Sequence, residues 1–191
     1  MPFKIQPELN LQGSQGQIAK DKLPDGIAGN LSTIDMMKKV ARLRSGDPLI
    51  HKLAVNILDY YSTQSNNYVD EALAVGDYVK NKIPYVRDPD QIEYLQDPLR
   101  IIWLMQNGGA RGDCDDMALF IATLLLSIGH KPLFCAVRYE SNIGNYNHIY
   151  VVDYDKNKGG PLTRVALDAI VKNHPIGYEV QSQSGDEFEI P

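Results

Sequence analysis

The sequence is short of the features that would place it quickly. It has two cysteines, Cys114 and Cys135, too few for a disulfide framework, so nothing in it demands an oxidising compartment. It carries no excess of positive charge. Nineteen Lys and Arg stand against 24 Asp and Glu, a net charge of −5, and this gives no electrostatic reason to expect nucleic-acid or anionic-membrane binding. Its longest apolar stretch, around Leu124–Leu126, falls far short of the ~20 residues that cross a bilayer. No HExxH or CxxC spacing is present, so no metal is expected. Gly108-Gly109 is not followed by Gly-Lys-Ser/Thr, which removes a phosphate loop. The tyrosines are scattered without interleaved basic residues, which removes a base-stacking platform. The N-terminus is Gln- and Gly-rich with no apolar core and does not read as a signal peptide. The cytoplasm is the default location.

What is present fits a soluble globular chain of 191 residues, 43% hydrophobic and 23% charged, and that length suits one domain with extensions. Residues 1–31 read as an extended N-terminal arm, with four glycines, Pro7, Pro24 and no periodicity. Such an arm can order on a protein partner. A domain spans 32–178. Its first helix starts at Ser32 or Thr33, with Asp35 in the first turn and Met36, Val40 and Leu43 as its apolar stripe. Ile50, Leu53, Ala54, Ile57, Leu58 and Tyr61 give a second helix its helical period. A third runs from Val69 to Lys82 with Leu73 and Val79 inward. Ile83–Arg87 is extended, Asp88-Pro89-Asp90 is a turn, and Asp97-Pro98 opens a short helix through Met105. A Gly-rich loop, Asn107 to Asp113, then leads into an apolar helix from Cys114 to Ile128, stopped by Gly129. Three strand-like runs follow: Leu133–Tyr139, Tyr146–Tyr154 and, after a Lys156–Gly160 turn, Leu162–Ile170. Helices first and an antiparallel sheet second make an α+β fold. Residues 179–191 are an acidic tail and are expected to be solvated.

The chemistry gathers at Cys114. A thiol in the first turn of a helix meets unpaired backbone N–H groups and the positive end of the dipole, which favour a thiolate and a developing oxyanion. Asp113, Asp115 and Asp116 oppose a second negative charge there, so activation requires a cationic partner, and histidine is the usual one. Period-2 alternation places Tyr146, His148, Tyr150 and Val152 on one face of their strand. Asp168, on the next strand, is the natural group to orient the imidazole. Cys135, flanked by Phe134 and Ala136, reads as a core residue. His51, His130 and His174 have no motif around them and read as surface or loop residues. The three acids read as helix-capping groups; a metal set of Asp113, Asp116, His148 and Asp168 is the minority alternative.

Gly112-Asp113-Cys114-Asp115-Asp116, followed by Met117-Ala118-Leu119 and then Leu124–Gly129, resembles the transglutaminase-like cysteine protease superfamily. Asn147-His148-Ile149-Tyr150-Val151 and Ala166-Leu167-Asp168 look like that family's His and Asp strands. Ile83–Asp88 and Glu93–Pro98 are similar to the lead-in of its small bacterial and phage members. The resemblance spans roughly Thr33 to Asp168. It implies a papain-like α+β fold, a Cys114–His148–Asp168 triad and cofactor-free acyl-transfer chemistry on an amide of a protein or peptide substrate. Gln96, in the matching lead-in, is the oxyanion candidate beside the Cys114 N–H, with Gln106 and Trp103 as alternatives. The alternative function is a phage or prophage structural protein with an idle inherited triad. It would sit in the cytoplasm of a bacterial host or in a virion, and residues 1–31 would bind a neighbouring subunit.

Overall fold

A computed structural model of the protein describes residues 18–19, 26–64, 66–88, 94–139, 145–155, 163–182 and 184–191. The turns expected at Asp88-Pro89-Asp90 and Lys156–Gly160, and most of the arm, lie outside the described residues. Helices and a four-stranded antiparallel sheet make an α+β fold, as the element order of the sequence implies.

A two-residue strand, β1 (Ile18–Ala19), comes first. Helix α1 (Ile27–Ser45) follows and begins earlier than the expected Ser32 cap. Gly26 is the N-cap and its φ of 78° swings the chain into the helix, a conformation open to glycine. Ser32 therefore lies inside the helix, and its hydroxyl donates to the Ala28 carbonyl at 2.9 Å. The inward stripe is Ile34, Met37 and Ala41, while Met36 and Leu43 are exposed, so the register differs from the one expected. Residues 27–31, expected in the arm, are accordingly helical. Ile18–Ala19 also returns to the chain, paired antiparallel with β2 (Leu95–Gln96).

Helix α2 (Pro48–Tyr60) buries Ile50, Leu53, Ala54 and Ile57, the period read from the sequence, with Asp47 as N-cap and Pro48 at the first helical position. Helix α3 (Tyr68–Lys82) and helix α4 (Pro98–Gln106) follow, capped by Asn67 and Asp97. The Arg44 guanidinium reaches Asp97 Oδ2 through Nε at 2.8 Å and Nη2 at 2.6 Å, tying α1 to the start of α4. Helix α5 (Cys114–Ser127) is buried at every residue from Asp115 to Leu125 and packs on α1, α2, α3, α4 and the sheet. A helix apolar on all sides has to be central.

The sheet has strand order β5 (Thr163–Leu167), β4 (His148–Asp155), β3 (Leu133–Arg138) and β6 (Ser184–Glu189), all antiparallel. Phe134, Ala136, Ile149, Val151, Val165 and Leu167 face the helices. Cys135, Val137, Tyr150, Val152 and Ala166 form a second apolar layer on the opposite face.

Two expectations need amending here. The side chains of Ser184–Glu189 are exposed apart from a half-buried Phe188, as a solvated tail requires, but the segment also pairs along β3 as a sheet strand. Its carboxylates also have partners: Glu187 and Glu179 both meet Arg164, and Asp186 accepts from Tyr146. His130 is not a surface residue. It is 3% exposed, with Nδ1 2.5 Å from Asp153 Oδ2 and Nε2 2.9 Å from Glu71 Oε2. A ring whose two nitrogens both face carboxylates must donate from both, which is the imidazolium form. Those hydrogen bonds outweigh burial and raise its pKa.

Candidate active site

The Gly-rich loop reaches α5 through a set of fixed points. Val86 N–H donates to the Gly112 carbonyl at 2.9 Å, and Gly112 N–H donates to the Pro84 carbonyl at 3.3 Å. The extended segment seen in the sequence at Ile83–Arg87 is thus the rail that holds the loop. Gly112 has no room for a side chain: a Cβ would lie 2.7 Å from Asp116 Cβ. Asp113 is the N-cap, its Oδ1 accepting from Asp116 N–H at 3.4 Å. Cys114 is therefore the first helical residue, and it is half-buried.

The acids around Cys114 carry less charge than their number suggests. Burial, followed by the neighbouring Asp113 carboxyl, pushes Asp115 well above the usual carboxylate range. Its Oδ2 is buried without a hydrogen-bond partner. Asp116 is pushed up to about 7, chiefly by burial, against the lowering effect of hydrogen bonds from Gln96. The repulsion expected of three ionised acids is therefore reduced by their own desolvation. Asp113, Cys114 and Asp115 bring one ligand atom each within 4.8 Å of one another. Among the described residues, the ligand atoms that come this close together are those of Asp113, Cys114 and Asp115, not the minority set of Asp113, Asp116, His148 and Asp168.

Gln96 takes a different job from the one expected. Its side-chain Nε2 donates to Asp116 Oδ2 at 2.5 Å and to the Arg111 carbonyl at 2.8 Å, and its backbone N–H donates to Asp116 Oδ1 at 2.7 Å. An amide nitrogen has two protons. Both are used on the loop and on Asp116, so Gln96 is corrected from an oxyanion donor to a clamp on the segment that delivers Cys114. Sequence alone could not show this, because the competing acceptor is a backbone carbonyl.

His148 and Asp168 are brought together. His148 Nε2 lies 2.7 Å from Asp168 Oδ2, and both side chains are nearly fully buried. Asp168 Oδ1 accepts from Ile170 N–H at 3.1 Å, which fixes the carboxylate. The pairing Val151↔Leu167 runs just inside these two residues, so the strand arithmetic of the sequence holds. Nε2–H donating to a carboxylate leaves Nδ1 as the basic nitrogen. Tyr139 connects this pair with the helix start. Its ring stacks on His148 with centroids 5.5 Å apart, and its phenol lies within electrostatic reach of both Asp168 and Cys114. Tyr85, on the rail beside the loop, also feels the charge of Cys114 and Asp113. The sequence assigns neither tyrosine a role: Tyr139 stands outside any motif, and Tyr85 lies within the Ile83–Asp88 lead-in.

No protein-family description and no curated protein matches the chain. Among solved structures, one from Cytophaga hutchinsonii, provisionally named a cysteine protease, is similar over 74% of this chain at 18% identity with a TM-score of 0.42. The chain covers 41% of that protein's length. No helix among the described residues is long and apolar enough to cross a membrane.

Proposed function

We propose that the protein is a cysteine-dependent amide hydrolase or acyl transferase of transglutaminase-like type, with Cys114 as nucleophile, His148 as general base and Asp168 as the group that orients it. The observation that carries this reading is the buried 2.7 Å contact between His148 Nε2 and Asp168 Oδ2. It fixes one tautomer and aims the basic nitrogen away from the carboxylate.

In this mechanism His148 Nδ1 takes the Cys114 proton, and the thiolate attacks a peptide or side-chain amide carbonyl. The new oxyanion lies against the Cys114 backbone N–H at the positive end of α5. Collapse breaks the C–N bond while the imidazolium returns its proton to the leaving amine, and a thioester remains. Water, giving up a proton to His148, or an amine then attacks the thioester and releases the thiol, which recovers that proton. The substrate class is a protein or peptide, and hydrolysis is the default outcome because water is always present.

The test is the pH dependence of iodoacetamide labelling at Cys114 in the wild type and in His148→Ala, read peptide by peptide by mass spectrometry. Mutating Cys135 as background is unsuitable, because Arg164 Nη2 contacts its sulfur at 3.7 Å. The expected result is a labelling midpoint well below the free-thiol value of about 8.5, lost in His148→Ala. An ordinary midpoint indifferent to His148 refutes the reading.

A further inference from the structure

Two rings flank His148: Tyr150, within the Asn147–Val151 segment that resembles the family's His strand, and Tyr139, outside any motif. The strand register places them. Val137 lies opposite His148 and Cys135 opposite Tyr150, so Tyr139, two residues beyond Val137, lies on the other side of His148 from Tyr150. Tyr139 and Tyr150 belong to the apolar layer on the sheet face opposite the helices. The rings follow suit. Tyr139 and His148 have centroids 5.5 Å apart at 26°, and His148 and Tyr150 are 5.7 Å apart at 24°. The imidazole is the middle member of a stack of three.

Tyr150 is in turn held from behind. Its hydroxyl donates to Glu179 Oε1. Arg164 Nη1 grips the other oxygen of Glu179, and Arg164 Nε reaches Glu187 Oε1 on β6 at 2.9 Å. Tyr154 donates to the same Glu187 carboxylate at 2.8 Å. Arg164 offsets the charge of both acids and keeps Glu179 below its ordinary range. This chain of contacts runs from the C-terminal acidic segment to the face of the imidazole.

We infer that Tyr139 and Tyr150 are positioning residues for His148, and that the Glu179–Arg164–Glu187 network acts on the site through the Tyr150 ring. The reasoning starts from the freedom of a histidine ring, whose χ2 is broad. One hydrogen bond to Asp168 fixes Nε2 but allows the ring to pivot about that bond. Two flanking rings remove the pivot and keep Nδ1 in one direction. Their faces also favour the imidazolium that forms when His148 takes the thiol proton. The charged group in contact with His148 is Asp168, and Glu179, Arg164 and Cys135 bear on Tyr150 behind it.

This inference rests on the assignment of His148 as base, and its test separates the two. The variants are Tyr150→Leu, Tyr139→Leu, Tyr150→Phe, Glu179→Leu and the Tyr150→Phe/Glu179→Leu double. Three quantities are read: thermal unfolding, the NMR signals of the His148 ring, and the pH profile of iodoacetamide labelling at Cys114. An aromatic pair contributes about 0.5–1.5 kcal/mol, so Tyr150→Leu and Tyr139→Leu should each slow labelling near neutrality by about twofold to tenfold. Their His148 ring signals should lose the upfield displacement that flanking rings impose. Tyr150→Phe keeps the stack and should recover most of the loss seen in Tyr150→Leu. If the acidic segment acts through Tyr150, the double variant is no worse than Tyr150→Phe or Glu179→Leu alone. Unmoved His148 signals in both leucine variants overturn the inference. An additive double variant overturns the route through Tyr150. None of these readouts requires an amide substrate, so a protein inert to amides that still shows them refutes the hydrolase reading and leaves the positioning role standing.

Discussion

Removing the imidazolium between Glu71 and Asp153 should be among the most destabilising single changes outside the proposed site. The His130 side chain is fully buried, with Glu71 and Asp153 at 13% and 6% exposure. His130→Ala leaves two buried carboxylates facing a cavity with no cation between them. Breaking a buried ion pair from one side costs about 3–5 kcal/mol. For a domain of this size, 1 kcal/mol moves the melting point by about 2–4 °C, so a fall of roughly 6–20 °C is expected. The pH dependence carries a sign. The folded-state pKa of His130 is raised, so its stabilisation is complete below the unfolded value of about 6.5 and is lost as pH rises through the folded value. Thermal unfolding followed by far-UV circular dichroism, in wild type and in His130→Gln over acid to alkaline pH, measures both effects. Glutamine can donate to the carboxylates but carries no charge, so the difference between the two proteins should shrink as pH rises. A loss below about 1 kcal/mol in His130→Ala, the size of an exposed pair, or a pH-independent difference would refute the reasoning.

Asp168→Asn should keep the fold but let His148 adopt the other tautomer, and labelling at Cys114 near neutrality should drop at least about tenfold, by analogy with other oriented imidazoles; an unchanged rate would remove Asp168 from the site. Asp116 has a folded-state pKa near 7, so the folded protein holds a proton that the unfolded chain releases near 4, and stability falls as pH rises between those values. Relative to wild type, Asp116→Asn should therefore gain stability with pH, by up to about 4 kcal/mol for the three-unit shift, as read from urea unfolding at pH 4 and pH 8. Gly112→Ala forces a methyl to within 2.7 Å of Asp116 Cβ and should cost about 1–3 kcal/mol in the same assay, with slower Cys114 labelling because the loop shifts.

Legibility in the sequence followed the range of the forces involved. Helix α2 was plain because its apolar residues repeat at 3.6 and one face is buried. The His148–Asp168 contact is readable because the two residues come from adjacent antiparallel strands, Asp168 falling diagonal to His148, one position past the Val151↔Leu167 pair. The β6 strand was not readable. Ser184–Glu189 has one apolar residue, Phe188, and the strand is held by its backbone ladder to β3 and by Arg164. Those partners lie far away in the chain. The same distance hid the His130 cluster, whose members stand at 71, 130 and 153. The start of α1 was missed because Gly26 caps it by backbone conformation alone, without a side-chain hydrogen bond. Gln96 was found as a residue near the site, but its competing acceptors, the Asp116 carboxylate and the Arg111 carbonyl, are fixed by tertiary packing.

The position of β6 at the margin of the sheet bears on how copies of the protein meet one another. Among the described residues no strand pairs with its outer side, and an open strand edge of this kind lets two sheets zip together. Asp186, Glu187 and Glu189 stud that strand and are exposed or half-exposed, so a second β6 approaching in antiparallel fashion would bring like charges into register. Mutual repulsion guards the margin at neutral pH and low salt. Concentrated salt screens the guard. Self-association should therefore set in first at high salt.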